Sequence, residues 1–111
     1  MDNEVKTWLT DVHQAIIEIK SFLPERKVFA EFQKDLKTKR AIEWNIAMIG
    51  EAMNRILTRH PEIAVTNARK IVDTRNRIMH GYDTVSDEII WAIVINDLPK
   101  LEVEIKQMLN E

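Results

Sequence analysis

With 111 residues, 45% of them apolar, the chain suits a single domain spanning 1–111 with one modest core. Cys 0 excludes disulfides, thiolate metal sites and a thiol nucleophile, and suits a cytoplasmic protein. A net charge of −2 does not mark a nucleic-acid binder, while Gly 2 and Pro 3 are too few for an all-β fold, so an all-α fold is expected.

The first predicted helix covers about 3–22, where Val5, Trp8, Leu9, Val12, Ala15, Ile16, Ile19 and Phe22 keep the three-and-four spacing of one buried stripe. Its start, with Asp2, Glu4, Lys6 and Asp11, lacks the apolar run of a signal peptide. A short helix follows, with Val28, Phe29, Phe32 and Leu36 on one side. The third helix, about 38–58, carries Ile42, Ile46, Ile49, Met53, Ile56 and Leu57, with Thr38 as its expected N-cap. The fourth starts near Asn67, carries Ala68, Ile71, Val72, Ile78 and Met79, and is expected to close on a left-handed Gly81.

Ser86 is the expected N-cap of the fifth helix, with Asp87 and Glu88 at the positive end of its dipole. IIWAIVI at 89–95 is far too short to span a bilayer, and Leu98, Leu101, Ile105 and Leu109 continue it at helical spacing. One long helix is therefore expected, kinked at Pro99, where a backbone donor is missing. Its first half is apolar almost all round, so Ile89, Ile90, Ile93 and Val94 lie either among other helices or against a second subunit. Four long helices and a short one predict a bundle.

The stretch RNRIMHGY at 75–82 stands out chemically. Residues 66–80 hold Arg69, Lys70, Arg75 and Arg77 against Asp73, a local excess of positive charge suited to a phosphate or to one solvated helix face. On a straight helix Arg75 and His80 are about 140° apart, so they do not share a face. If Gly81 ends the helix, His80 is its last residue, at the carbonyl end that favours a cation, and Tyr82 is released to turn. The alternative is structural: His80 caps the helix, Arg75 pairs with a carboxylate and Tyr82 packs. His13 and His60 show no ligand spacing with His80, so no metal site is expected, and neither glycine belongs to a phosphate loop, so no cofactor is called for. Glu51 could reach the site from the third helix, but Glu51 and Arg55 read first as an ordinary i,i+4 surface pair, and Trp8, Trp44 and Trp91 as core or interface residues.

Arg75, Asn76, His80 and Tyr82 reproduce the Arg-polar-x3-His-x-Tyr signature of the HEPN superfamily, and in particular of its HepT-like toxins. IGEAMNRI at 49–56 and IIWAIVINDLPKL at 89–101 resemble two further blocks of that family, in the same order, so the likeness covers nearly the whole chain. Relatives often place a Trp before the Arg-x-Ile step where this chain has Ala68, a change in packing that removes no reactive group.

The resemblance implies an antiparallel four-helix-bundle-like HEPN domain with one additional short helix. It also implies metal-independent endoribonuclease activity. Arg75 and His80 would be catalytic and Asn76 supporting. Two copies would meet as a homodimer at a cleft. The RNA substrate's 2′-hydroxyl would be the attacking group. The implied partner is a minimal nucleotidyltransferase antitoxin that transfers AMP to Tyr82, the chain's sole phenol. The other reading is a non-catalytic nucleotide-binding or scaffolding subunit of a two-component nucleotidyltransferase complex, in which Arg75 and His80 only hold phosphates.

Overall fold

The computed structural model describes residues 2–81 and 85–110, and among these the regular structure is entirely helical. Helix α1 (Asn3–Phe22) opens on Asp2, whose side chain accepts a hydrogen bond from the Val5 N–H at 2.8 Å, and it buries Val5, Leu9, Val12, Ala15, Ile16 and Ile19 as its spacing predicts. The short α2 (Phe29–Lys34) buries Phe32, which lies 5.0 Å from the Trp91 ring, centroid to centroid, and fastens α2 to the C-terminal helix.

Helix α3 (Leu36–Arg59) is the central element, in contact with α1, α2 and α4 (Ala68–His80). Its 24 residues correspond to about 36 Å of helix, close to the 41 Å long dimension of the molecule. Its N-cap is Asp35 and not Thr38. The Asp35 carboxylate accepts from both the N–H and the hydroxyl of Thr38, so the cap moves three residues upstream. Leu36 is consequently the first residue of α3 and is exposed, instead of sharing the buried side of α2.

Ser86 caps the C-terminal helix as expected, accepting from the Ile89 N–H at 3.2 Å. That helix runs as α5 (Asp87–Ala92), a π-helical segment (Ile93–Asp97) and α6 (Leu98–Leu109). The π turn immediately precedes Pro99, which stands in the first turn of α6. Proline cannot donate to a carbonyl four residues back, and the wider register redirects the hydrogen bonding upstream of it, with the Leu98 N–H bonded to the Ile93 carbonyl.

Ile90, Ile93 and Val94 are buried inside this single chain, and Ile89 packs partly against the same core. Of the two roles open to that apolar face, Ile90, Ile93 and Val94 take the first, packing into the core of their own chain. Helix α6 closes against α1, with Lys20 Nζ 3.2 Å from a Glu102 carboxylate oxygen. The radius of gyration, 13.7 Å, is that of a well-packed chain of this length. Among the described residues no helix is long and apolar enough to cross a membrane.

Candidate functional site

The site is built where α4 crosses α3. Asn67 precedes α4 in the left-handed region (φ 63°), a conformation that asparagine tolerates better than most residues. Its side-chain amide reaches the buried Asp97 at 3.4 Å, and Lys70 Nζ lies 2.9 Å from the other carboxylate oxygen, close enough for an ion pair although not aligned for a hydrogen bond. Asp97 sits in the π turn, so the widened segment carries the carboxylate that anchors the first turn of α4.

Two turns further on, the helices touch backbone to side chain. A methyl group on Gly50 would overlap the Arg75 Cβ, and would approach the Arg75 Cγ to 2.9 Å and the Ile71 carbonyl to 3.1 Å. Glycine in mid-helix costs about 0.5–1 kcal/mol relative to alanine, and here its bare backbone lets α4 approach closely enough to seat Arg75.

Arg75 is three-quarters buried as a side chain, and its guanidinium is gripped on two sides. One terminal nitrogen donates to a Glu51 carboxylate oxygen, and the other donates to the Asn76 side-chain carbonyl at 2.6 Å. The second Glu51 oxygen is 3.3 Å from Arg55 Nε. Glu51 is therefore more than half of a surface pair on its own helix: one carboxylate joins two arginines from two helices. The preference for an ordinary Glu51–Arg55 surface pair over a reach to the site is corrected, since Glu51 makes both contacts. The signal that could have found it was the adjacent Gly50, since an isolated glycine inside a helix usually has a packing reason.

A guanidinium has five N–H donors. Two are engaged among the described residues, so Arg75 keeps donors for an anion. The basic patch is partly neutralised, because Lys70 answers Asp97 and Arg75 answers Glu51.

His80 is the last residue of α4 and is exposed, without a direct tie to Arg75 among the described residues. Gly81 follows at φ −149°, outside the left-handed region, with its N–H bonded to the Arg77 carbonyl at 2.8 Å. The helix thus stops at Gly81 as expected, but without the left-handed conformation. Tyr82 lies outside the described residues.

Glu51 and Arg55 also line a groove of about 550 Å³ between α1 and α3, together with Trp8, Trp44 and Met48. Trp44 is 61% exposed, so it is no core residue.

The family model described as "Ribonuclease HepT-like" matches residues 12–108. A protein of Thermococcus cleftensis, provisionally named a ribonuclease HepT, is 30% identical over 97% of this chain and 98% of its own length. A protein of Methanocaldococcus jannaschii, provisionally named an RNase, is 29% identical over 97% of this chain and 89% of its own. A third, from Caldanaerobacter subterraneus subsp. tengcongensis and also provisionally an RNase, is 28% identical over 75% of each chain. No solved structure matches significantly. The all-α bundle, the order of the sequence blocks and a match over nearly the full length agree, and the chain belongs to the HepT-like ribonuclease family of the HEPN superfamily.

Proposed function

We propose that the protein is a metal-independent endoribonuclease toxin. The substrate's 2′-hydroxyl gives up its proton and attacks the adjacent phosphorus. The bond from phosphorus to the 5′ oxygen then breaks, that oxygen takes a proton, and a 2′,3′-cyclic phosphate is left. Arg75 binds the phosphate and stabilises the charge that builds on it. His80 moves the protons, a role worth roughly 10²–10⁴-fold in rate. One imidazole cannot serve as base and acid in a single step. The reading therefore includes a homodimer in the cytoplasm, with a His80 from each copy at a shared cleft, and Asn76 as an orienting residue.

The observation that supports this reading best is the seating of Arg75: a guanidinium aimed by two partners, with donors left over, in a chain of a ribonuclease family. Control would come from a nucleotidyltransferase partner that adds AMP to Tyr82. That addition would place a negative phosphodiester and a bulky nucleoside beside the site, where both compete with RNA.

The test is RNA cleavage by the purified protein. His80→Ala and Arg75→Ala should each abolish it with helical content intact, EDTA should have no effect, and products should end in a 2′,3′-cyclic phosphate or the derived 3′-phosphate. Sedimentation of the same sample should give twice the chain mass, and Tyr82→Phe should resist AMP addition by the partner enzyme. A 3′-hydroxyl product, or cleavage that EDTA abolishes, overturns the mechanism.

A further inference from the structure

We propose that Glu51 is the positioning residue for Arg75, and that it raises the rate of RNA cleavage while weakening substrate binding. The inference rests on the ribonuclease reading above. It starts from an apparent contradiction: a carboxylate beside the cation meant for phosphate should repel RNA, yet Glu51 is hydrogen-bonded to that cation.

The contradiction disappears when aim and charge are considered separately. An arginine side chain has about 2 kcal/mol of rotamer entropy to lose before its planar fork can meet a phosphate in one orientation. Arg75 arrives with much of that already lost. Glu51 holds one terminal nitrogen, Asn76 holds the other, and the start of its side chain is wedged against Gly50. The donors not engaged by those partners point wherever this clamp directs them, without rearrangement as charge develops in the transition state.

Charge is balanced by the third member. Arg55 Nε lies 3.3 Å from the opposite Glu51 oxygen, so Arg55, Glu51 and Arg75 together carry a net charge of +1. Glu51 thus has a partner on each oxygen. The arrangement sacrifices some attraction for RNA and gains orientation, and misplacement by about 1 Å in such a site can cost roughly 10²-fold in rate.

The experiment compares Glu51→Ala and Glu51→Gln with the wild type in RNA cleavage, with circular dichroism as the folding control. It also records the nitrogen-15 signals of the Arg75 guanidinium, assigned through Arg75→Lys. Glu51→Ala should lower kcat by roughly 10²-fold and lower KM as well, and an unchanged or raised KM would overturn the binding half of the proposal. Glu51→Gln keeps one acceptor oxygen and should fall between the two. The Arg75 terminal nitrogens, distinct in the wild type because rotation is hindered, should merge in Glu51→Ala.

If Glu51→Ala cleaves as fast as the wild type or faster, Glu51 only screens charge and the proposal fails. If kcat falls only in step with helical content, the role is structural and the proposal fails again. If the wild type itself does not cleave RNA, the ribonuclease reading fails and the guanidinium signals decide the rest: hindered rotation that survives in Glu51→Ala overturns the positioning role, and its loss upholds it.

Discussion

Gly50 and Arg75 are 25 positions apart, and neither can be understood without the other. Removing a side chain at position 50 brings α4 in; bringing α4 in delivers Arg75 to Glu51. Gly50→Ala should therefore do the opposite of what helix propensity suggests. Alanine in mid-helix gains about 0.5–1 kcal/mol over glycine, but the new methyl meets the Arg75 Cβ, which cannot swing aside as the end of a long side chain could. Overpacking of this kind costs about 1–3 kcal/mol. Urea denaturation should show net destabilisation, with cleavage reduced as Arg75 is displaced. A more stable protein would refute the account. The candidate residues Arg75, Asn76 and His80 stand out in the sequence because their types and spacing are distinctive, whereas nothing local favoured Glu51 reaching across to α4 over the ordinary surface pair. Its i,i+4 partner Arg55 supplied a sufficient local explanation, and the contact that matters crosses between helices.

Among the elements, the helices were readable wherever apolar periodicity was strong, as in α1, α3 and the C-terminal helix. Their ends were less so. Thr38 and Asp35 are both acceptable caps, and the choice falls to Asp35 because its two oxygens satisfy both the N–H and the hydroxyl of Thr38. The π turn had no local signature, since it depends on Pro99 downstream and on Asp97 meeting Asn67 and Lys70 across the bundle.

The caps also predict a pH response. The hydrogen bond from the Val5 N–H holds the Asp2 carboxyl below its ordinary range, and the Thr38 hydroxyl and N–H do the same for Asp35. Because both folded-state values are lowered, the stabilisation is complete above the ordinary aspartate range. It is lost as pH falls below about 4 and through the lowered values. Asparagine caps comparably but does not titrate there. The double variant Asp2→Asn, Asp35→Asn should therefore match the wild type near neutrality and lose stability less steeply in acid, as followed by thermal melts from pH 6 to 2. Parallel curves would contradict this.

At the scale of the whole molecule, the bundle is thin, with extents of 41 × 31 × 18 Å, and it buries Ile90, Ile93 and Val94 of IIWAIVI within one chain. An apolar run announces burial but not which surface covers it, so the sequence alone left a second subunit open where the fold uses its own helices. The layout also places its contacts at very different sequence distances. Glu51 and Arg75 are separated by 24 residues, whereas Lys20 and Glu102, which close α6 onto α1, are separated by 82. Loop closure costs about 0.6 kcal/mol for each doubling of length, so the second contact costs roughly 1 kcal/mol more to form. Time, then, is written into the arrangement: the α3–α4 pair that seats Arg75 should already be ordered in the folding transition state, and the terminal helices should dock afterwards. In chevron plots Ile71→Val should chiefly slow refolding and Ile105→Val should chiefly speed unfolding, and the reverse pattern would refute that order. A chain that folds this way has its guanidinium clamp in place before its two ends have met.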